Sequence, residues 1–504
     1  MGQACYAQCV MASTSKAVSD KSRTSRVSGK AAAPVLPAKG KPFPSYQAAL
    51  RYLAERQDFE RTRLTREHRD KFKLDRTVAL LDVLGNPHEA FRSVHVAGTK
   101  GKGSTSTMTA SCLEACGYTV GLYTSPHVVD IRERVQINGA MISTSDFTRL
   151  LSQAAHAASK IEGKHGEPTF FELMTALGFL RFAEQAVDIA VIECGLGGRL
   201  DCTNVITPEI SVITAISLDH QQILGDTVEE IAREKAGIFK PGVTALTIEQ
   251  PKPVLAVLRE AAEKRGTKLE VLGEDIDFSY RFESSPELGP HRRVCVASPR
   301  SNFEHLAVPL AGEHQAWNCG LALAVLDRLR ERGFETPERR VAAGLARTRI
   351  PGRMEMAWTN PRVLLDGAHN EASINALIKA IGAHVPYDSM VMVFGCAADK
   401  DIDAMLGKIA LGADKVIFTK VAGSARAVDP YELQKRFVAI SGKMTQVADA
   451  LPEALNLASR AVSRGDLICV TGSFYLVGEA KKYLAELAAS RGRPGAPAGE
   501  DDDD

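Results

Sequence analysis

Val94-His95-Val96-Ala97-Gly98-Thr99-Lys100-Gly101-Lys102-Gly103-Ser104 decides how this chain reads, because an apolar strand empties there into a glycine-rich turn ending Gly-Lys-Gly-Ser. Gly98, Gly101 and Gly103 permit turns that expose backbone N–H donors. Lys102 can reach terminal phosphates, and the Ser104 hydroxyl stands at a helix start, where it can ligate Mg²⁺. The ending differs from the usual Walker spacing, which closes Gly-Lys-Ser or Gly-Lys-Thr, and a plain glycine turn is the alternative. The flanks favour the phosphate cradle: Thr105 to Ala115 predicts a helix closed by Gly117, and Tyr118 to Tyr123 predicts the next strand.

The chain has 504 residues, more than one core normally supports, with 45% hydrophobic and 24% charged residues, so two globular domains are expected. A formal charge of +1 argues against general affinity for nucleic acid or membrane surfaces. No apolar run is long and clean enough to span a bilayer, and the N-terminus lacks a secretory apolar block. Ten scattered cysteines suit a reducing, cytoplasmic setting without disulfides, and Cys112 and Cys116 read as small core residues of a helix.

Residues 1–44 carry one carboxylate, Asp20, among Ser, Ala, Lys, Arg and Pro. They read as a disordered extension; a mitochondrial or plastid transit peptide is the alternative. Met1-Gly2 does not make a myristoylation signal, since Tyr6 fills the position that wants Ser or Thr. Residues 489–504, ending in an Asp run, read as a solvated acidic tail.

From Ser93 onward strands and helices alternate through Asp188–Glu193, Ile210–Ser217 and Val243–Ile248, which predicts a parallel sheet covered by helices. Helices are expected over Gly312–Leu329 and Arg339–Arg347, and Ile350-Pro351-Gly352 breaks the pattern, placing domains at 45–348 and 349–488. The second unit, with strands Arg362–Leu365, Met390–Phe394, Lys415–Thr419 and Leu467–Val470, is a smaller Rossmann-like α/β domain. Open α/β sheets bind ligands beyond the carboxyl ends of their strands, so residues following each strand are the candidates.

Thr124-Ser125-Pro126-His127 follows the second strand, and Ser125 offers a hydroxyl to Mg²⁺; a polar turn is the plain alternative. Phe170-Phe171-Glu172 opens an apolar helix in which Glu172 needs a cation or donors, either a metal or the helix dipole. Cys194 to Asn204 forms a glycine turn that suggests a substrate wall, within which Arg199 and Asp201 could pair. It fails as a dinucleotide fingerprint, because no helix begins inside it. His220 follows another strand and could ligate a second ion, while Lys235 reads locally as a helix-surface partner. Arg353 could reach across to a phosphate, and Asp366 with His369 could orient a ribose or an amine, or cap a helix.

Together these segments resemble the folylpolyglutamate synthase and dihydrofolate synthase family, within the Mur-type ATP-dependent amide ligases. The resemblance covers Ser45 to Ala488 and rests on Gly98–Ser104, Thr124–His127 with Asp130–Arg134, Phe170–Glu172, Gly195–Asn204, Asp219-His220, Glu234–Ile238, Gly312–Gln315, Pro351–Arg353, Asp366–Asn370 and Thr471–Ser473. One departure is Lys100, where the family usually has Asn. The resemblance implies a P-loop Mur-ligase-like ATP-binding domain followed by the smaller α/β domain. It further implies that the loop from Gly98 and Thr99 to Ser104, led by Lys102, holds ATP with Asn318, Arg353 and Asp366. Ser104, Ser125 and Glu172 would hold one Mg²⁺. His220 and a carbamylated Lys235 would hold a second. His127, Arg134 and Asp201 would face the folate or pteroate substrate, and Thr419 and Arg426 the carboxylates of L-glutamate.

The implied reaction is amide formation between L-glutamate and dihydropteroate or a tetrahydrofolyl carboxylate, through an acyl phosphate, in a monomer. Lys102, Arg353, His369 and Lys235 would carry it. A cell-wall amino-acid ligase and a non-catalytic ATP switch are the alternatives.

Overall fold

β1 (Ser93–Ala97) is buried at all its positions, as a strand flanked on both sides must be, and it pairs in parallel with both β5 (Ile189–Glu193) and β6 (Ile210–Ile213). The computed structural model describes residues 42–490, apart from 61, 63, 64 and 425. The expected extension before residue 42 and the tail from 491 onward lie outside the described residues.

β2 (Val120–Tyr123), β3 (Val135–Ile137), β4 (Ala140–Met141), β7 (Thr244–Thr247) and β8 (Leu269–Val271) complete an eight-stranded sheet in the order β4-β3-β2-β5-β1-β6-β7-β8. β2 to β8 through the centre run parallel, while β3 and β4 add an antiparallel edge. Helix Lys102–Ala115 packs one face and the apolar helix Phe170–Glu184 the other, where Leu173, Leu177 and Phe179 are fully buried. The strand expected over Ile210–Ser217 stops at Ile213. The next residues turn to meet the glycine-rich loop: Thr99 N and Lys100 N both donate to Ala215 O, at 2.8 and 3.1 Å.

β9 (Asp277–Ser285), β10 (Gly289–Ala297) and β11 (Asn302–Ala307) form an antiparallel sheet that sequence patterning did not signal. Its buried face, Val294, Val296 and Phe303, joins the core around helix Glu313–Arg330. The second lobe is a six-stranded sheet, in which β12 (Glu355–Thr359), β13 (Arg362–Leu365), β14 (Met390–Phe394), β15 (Lys415–Phe418), β16 (Met444–Val447) and β17 (Leu467–Thr471) run β12-β13-β17-β14-β15-β16. All but β12 are parallel, so their carboxyl ends gather on one side. The strands expected here are present, and β12 and β16 are additional edges.

The lobes meet through named contacts. Val128 from the loop after β2 packs into the apolar core of the second lobe, and the His384 ring bonds Pro290 O of β10 at 2.9 Å. No helix among the described residues is long and apolar enough to cross a membrane.

Candidate active site

The carboxyl ends of β1, β2, β5 and β6 face those of β13 and β14 across a cleft of about 1480 Å³. The first lobe lines it with Thr99 to Ser104, Ser125, Glu193 and His220, and the second with Arg353, His369, Lys400 and Arg426. Such a volume exceeds the usual ~300–1000 Å³ of a single small-ligand pocket, so it suits several substrates at once.

Gly101 sits at φ +93° as the residue capping helix Lys102–Ala115, which aims the first-turn N–H groups and Lys102 at the cleft. A β-carbon there would lie 2.2 Å from Asn318 Oδ1. Asn318 is thus packed directly on the loop, held by its own Nδ2 donating to Gln315 Oε1 at 2.9 Å. Gly101→Ala meets both a left-handed backbone and Asn318, so the free loop should relax away from this conformation; restoring it for the nucleotide costs roughly 1–2 kcal/mol of backbone strain, or about tenfold in affinity, measurable by calorimetric titration with ADP.

Glu193, at the carboxyl end of β5, was not singled out from sequence; its place next to the glycine-rich loop emerges only from the pairing of β1 with β5. It is 3% exposed, and its Oε2 accepts only a long bond from Ser125 N, 3.3 Å. Burial raises its pKa to about 7, against the opposing pull of Lys102, Ser125 N–H and Arg353. This is a hard oxygen donor short of partners, between the Ser125 backbone and Gly103, where a β-carbon would stand 3.4 Å from Oε2.

Glu172, expected as the metal ligand, is committed elsewhere. Arg76 Nε donates to both its oxygens at 2.9 and 2.8 Å, Thr77 Oγ1 adds a bond at 3.3 Å, and Thr169 N donates at 2.7 Å. Glu172 N in turn donates to Thr169 Oγ1, a reciprocal capping box. Its lone pairs are used in starting the helix, although its side chain borders the cleft.

Lys235 is buried, and its Nζ donates to Gly98 O at 2.8 Å, so it supports the phosphate loop from beneath rather than lying on a helix surface. Burial first, and Lys102 second, lower its pKa to about 7. His220 adopts φ +50° and lines the cleft, where desolvation lowers the pKa of its imidazole against the opposing pull of Asp219. Among the described residues no three His, Cys, Asp or Glu side chains cluster as a metal site.

Several of the residues expected to face substrate also brace the protein itself. Asp201 accepts from Leu196 N at 2.8 Å and from Thr203 N at 3.0 Å, pinning the glycine turn, while Arg199 pairs with Glu234 and not with Asp201. Arg134 is 1% exposed, paired with Glu60, and donates through Nε to His127 Nδ1 at 2.9 Å. His127 lines a smaller neighbouring hollow of about 400 Å³ beside Tyr46 and Phe170. Thr419 is fully buried and absent from the cleft lining, and its backbone oxygen packs so closely on Gly395 that a β-carbon there would stand 2.4 Å from it.

Asp366 likewise faces inward, accepting from Met354 N and Ala368 N at 2.9 Å each, and so joins the two loops that present Arg353 and His369. Arg353 stacks over Phe474 with its guanidinium carbon 4.6 Å from the ring centre. Arg426 reaches the cleft but is engaged by Asp399 Oδ1 at 2.8 Å and by Glu60 O.

The chain matches the family Mur ligase middle domain over residues 96–326 and the family Mur ligase, glutamate ligase domain, over 352–474. It is 33% identical over 416 residues to the dihydrofolate synthase/folylpolyglutamate synthase of Bacillus subtilis, covering 82% of this chain and 94% of that protein. It is 34% identical over 436 residues to the folylpolyglutamate synthase of Lacticaseibacillus casei, covering 84% and 96%. The structure of Mycobacterium tuberculosis folylpolyglutamate synthase complexed with ADP superposes with a TM-score of 0.78 at 29% identity, covering 90% of this chain and 99% of that one. With these matches along its length, and with a glycine-rich loop and a buried carboxylate facing a second lobe across the cleft, the chain belongs to the folylpolyglutamate synthase and dihydrofolate synthase family of Mur ligases.

Proposed function

We propose that this protein is an ATP-dependent ligase joining L-glutamate to a folate-pathway carboxylate, dihydropteroate or a tetrahydrofolyl glutamate, with release of ADP and phosphate. The observation that carries the proposal is the shared cleft, where a cationic phosphate loop faces Arg353, His369 and Lys400 of a separate lobe. The domain limits 45–348 and 349–488 and a monomeric working form belong to the same proposal.

Lys102 and the first-turn amides from Gly101 to Ser104 take the ATP phosphates, and Arg353 approaches them from the second lobe. Ser104, Ser125 and Glu193 supply hard oxygens that fit one Mg²⁺, with Glu193 taking the part expected of Glu172. The bound ion offsets phosphate charge during transfer. His220 fits beside a second ion only if Lys235 becomes an oxygen ligand. A buried amine with pKa near 7 is unprotonated often enough to take up carbon dioxide as a carbamate.

With these groups in place, the substrate carboxylate attacks the γ-phosphorus, becomes an acyl phosphate and is then open to the neutral amine of glutamate, which forms the amide as phosphate leaves. Closure of the lobes keeps water from the acyl phosphate until the amine arrives.

Purified protein given ATP, Mg²⁺ and labelled glutamate should form labelled amide with dihydropteroate, with tetrahydrofolate, or with both, and the pattern assigns the acceptor. No amide from either acceptor, with ATP bound, would overturn the folate assignment.

A further inference from the structure

Lys100 belongs to the phosphate loop by its backbone and to the space between the lobes by its side chain. Its N–H donates to Ala215 O at 3.1 Å, and the residue forms an isolated bridge with Ala215, so the direction in which its side chain leaves the loop is fixed. Nζ then lies 3.2 Å from Asp219 Oδ2 on its own lobe and 3.2 Å from His369 Nε2 on the other.

The His369 partner on the far side of the ring determines what this contact is. His369 Nδ1 is 2.8 Å from Gly367 O, which can only accept, so Nδ1 carries the proton and Nε2 presents its lone pair to the ammonium. Asp219 meanwhile receives Lys400 of the second lobe at 3.4 Å through Oδ1. Two ammonium groups from opposite lobes therefore share one carboxylate, and one of them also holds an imidazole across the cleft. A neutral side chain at position 100 could make one of these bonds but could not supply the charge that joins them.

We propose that Lys100 is a positioning residue that latches the phosphate loop to the second lobe and orients His369, keeping the lobes closed while the acyl phosphate exists. This rests on the ligase reading of the same cleft. When the latch is lost, water competes with the amine: it attacks the acyl carbon, breaks the same C–O bond and regenerates the carboxylate, releasing phosphate and a proton. ATP is then consumed without amide.

The test is the ratio of ADP to amide for the full chain, unmodified and as Lys100→Met and Lys100→Arg, at saturating ATP. The unmodified protein should release about one ADP per amide. Lys100→Met should raise that ratio several-fold and raise KM for glutamate, with KM for ATP little changed. Lys100→Arg, which keeps the charge, should restore most of the coupling.

Because Asp219 keeps Lys400, the Met variant leaves no orphaned carboxylate. Should it still fail to fold, Lys100→Gln carries the same prediction. An unchanged ratio, or a rise in KM for ATP alone, overturns the latch. If the unmodified protein makes no amide, the ligase reading fails. The latch is then judged by small-angle scattering with ATP, where an equal radius of gyration for the Met variant and the unmodified chain would refute it and a larger one would uphold it.

Discussion

Glu193→Gln is expected to lower kcat by about 10²–10³, because it removes the anionic oxygen that would hold Mg²⁺ against the transferring phosphate, and losing one such electrostatic support typically costs that much. The change is nearly isosteric and removes only the capacity for negative charge. Glu193 stands buried at the end of β5 with a single long backbone bond, so little of the fold depends on its ionised form. The same substitution at Glu172 separates function from structure. There the carboxylate takes Arg76, Thr77 and the Thr169 amide, so Glu172→Gln should cost about 2 kcal/mol of stability while kcat stays within a few-fold. Steady-state kinetics and thermal unfolding of both variants decide the matter. If Glu172→Gln abolished turnover at unchanged stability, the assignment of the two carboxylates would have to be exchanged.

That contrast also shows how much the sequence could say. The phosphate loop was legible because glycine, lysine and serine at fixed offsets have few other uses between a strand and a helix, and the alternation of elements revealed both parallel sheets. Glu172 drew attention as a charge inside an apolar helix, yet Thr169-Phe170-Phe171-Glu172 is also the spacing of a capping box, and the local explanation prevailed. Glu193 was passed over because a charge at a strand end looks like ordinary chain until the neighbouring strands are known. Only the β1–β5 pairing puts it beside Lys102. Asp201 lines the cleft, Arg134 and Asp366 lie off its lining, and all three are engaged within the protein. Their carboxylate and guanidinium groups are consumed by backbone amides or by Glu60, partners that no linear spacing discloses. The β9–β11 sheet escaped because its strands expose one face, and their alternation is broken by polar residues and a bulge between Val294 and Val296.

Gly478→Ala is expected to lower kcat/KM by about 10² while the secondary structure of each lobe is kept, a combination that only lobe geometry explains. Gly478 lies within helix Phe474–Ser490, where alanine is favoured over glycine by about 1 kcal/mol, so the second lobe alone should gain. A β-carbon there, however, would fall 1.9 Å from Val128 O, a backbone atom of the first lobe. The Val128 loop has no room to yield. Glu133 accepts from Val128 N at 2.7 Å and from Val129 N and Asp130 N at 2.9 Å each, so three successive amides are held by one carboxylate. Relief must then come from moving one lobe against the other by something like an ångström. Ser125 lies just before this loop, and Phe474, which carries the Arg353 stack, lies at the start of the glycine's own helix. Displacements of that size between reacting groups cost about 10²-fold even when the substitution is remote from the chemistry. A variant with raised melting temperature and full activity would mean that the lobes adjust freely, and the close approach at Gly478 would then be incidental to catalysis.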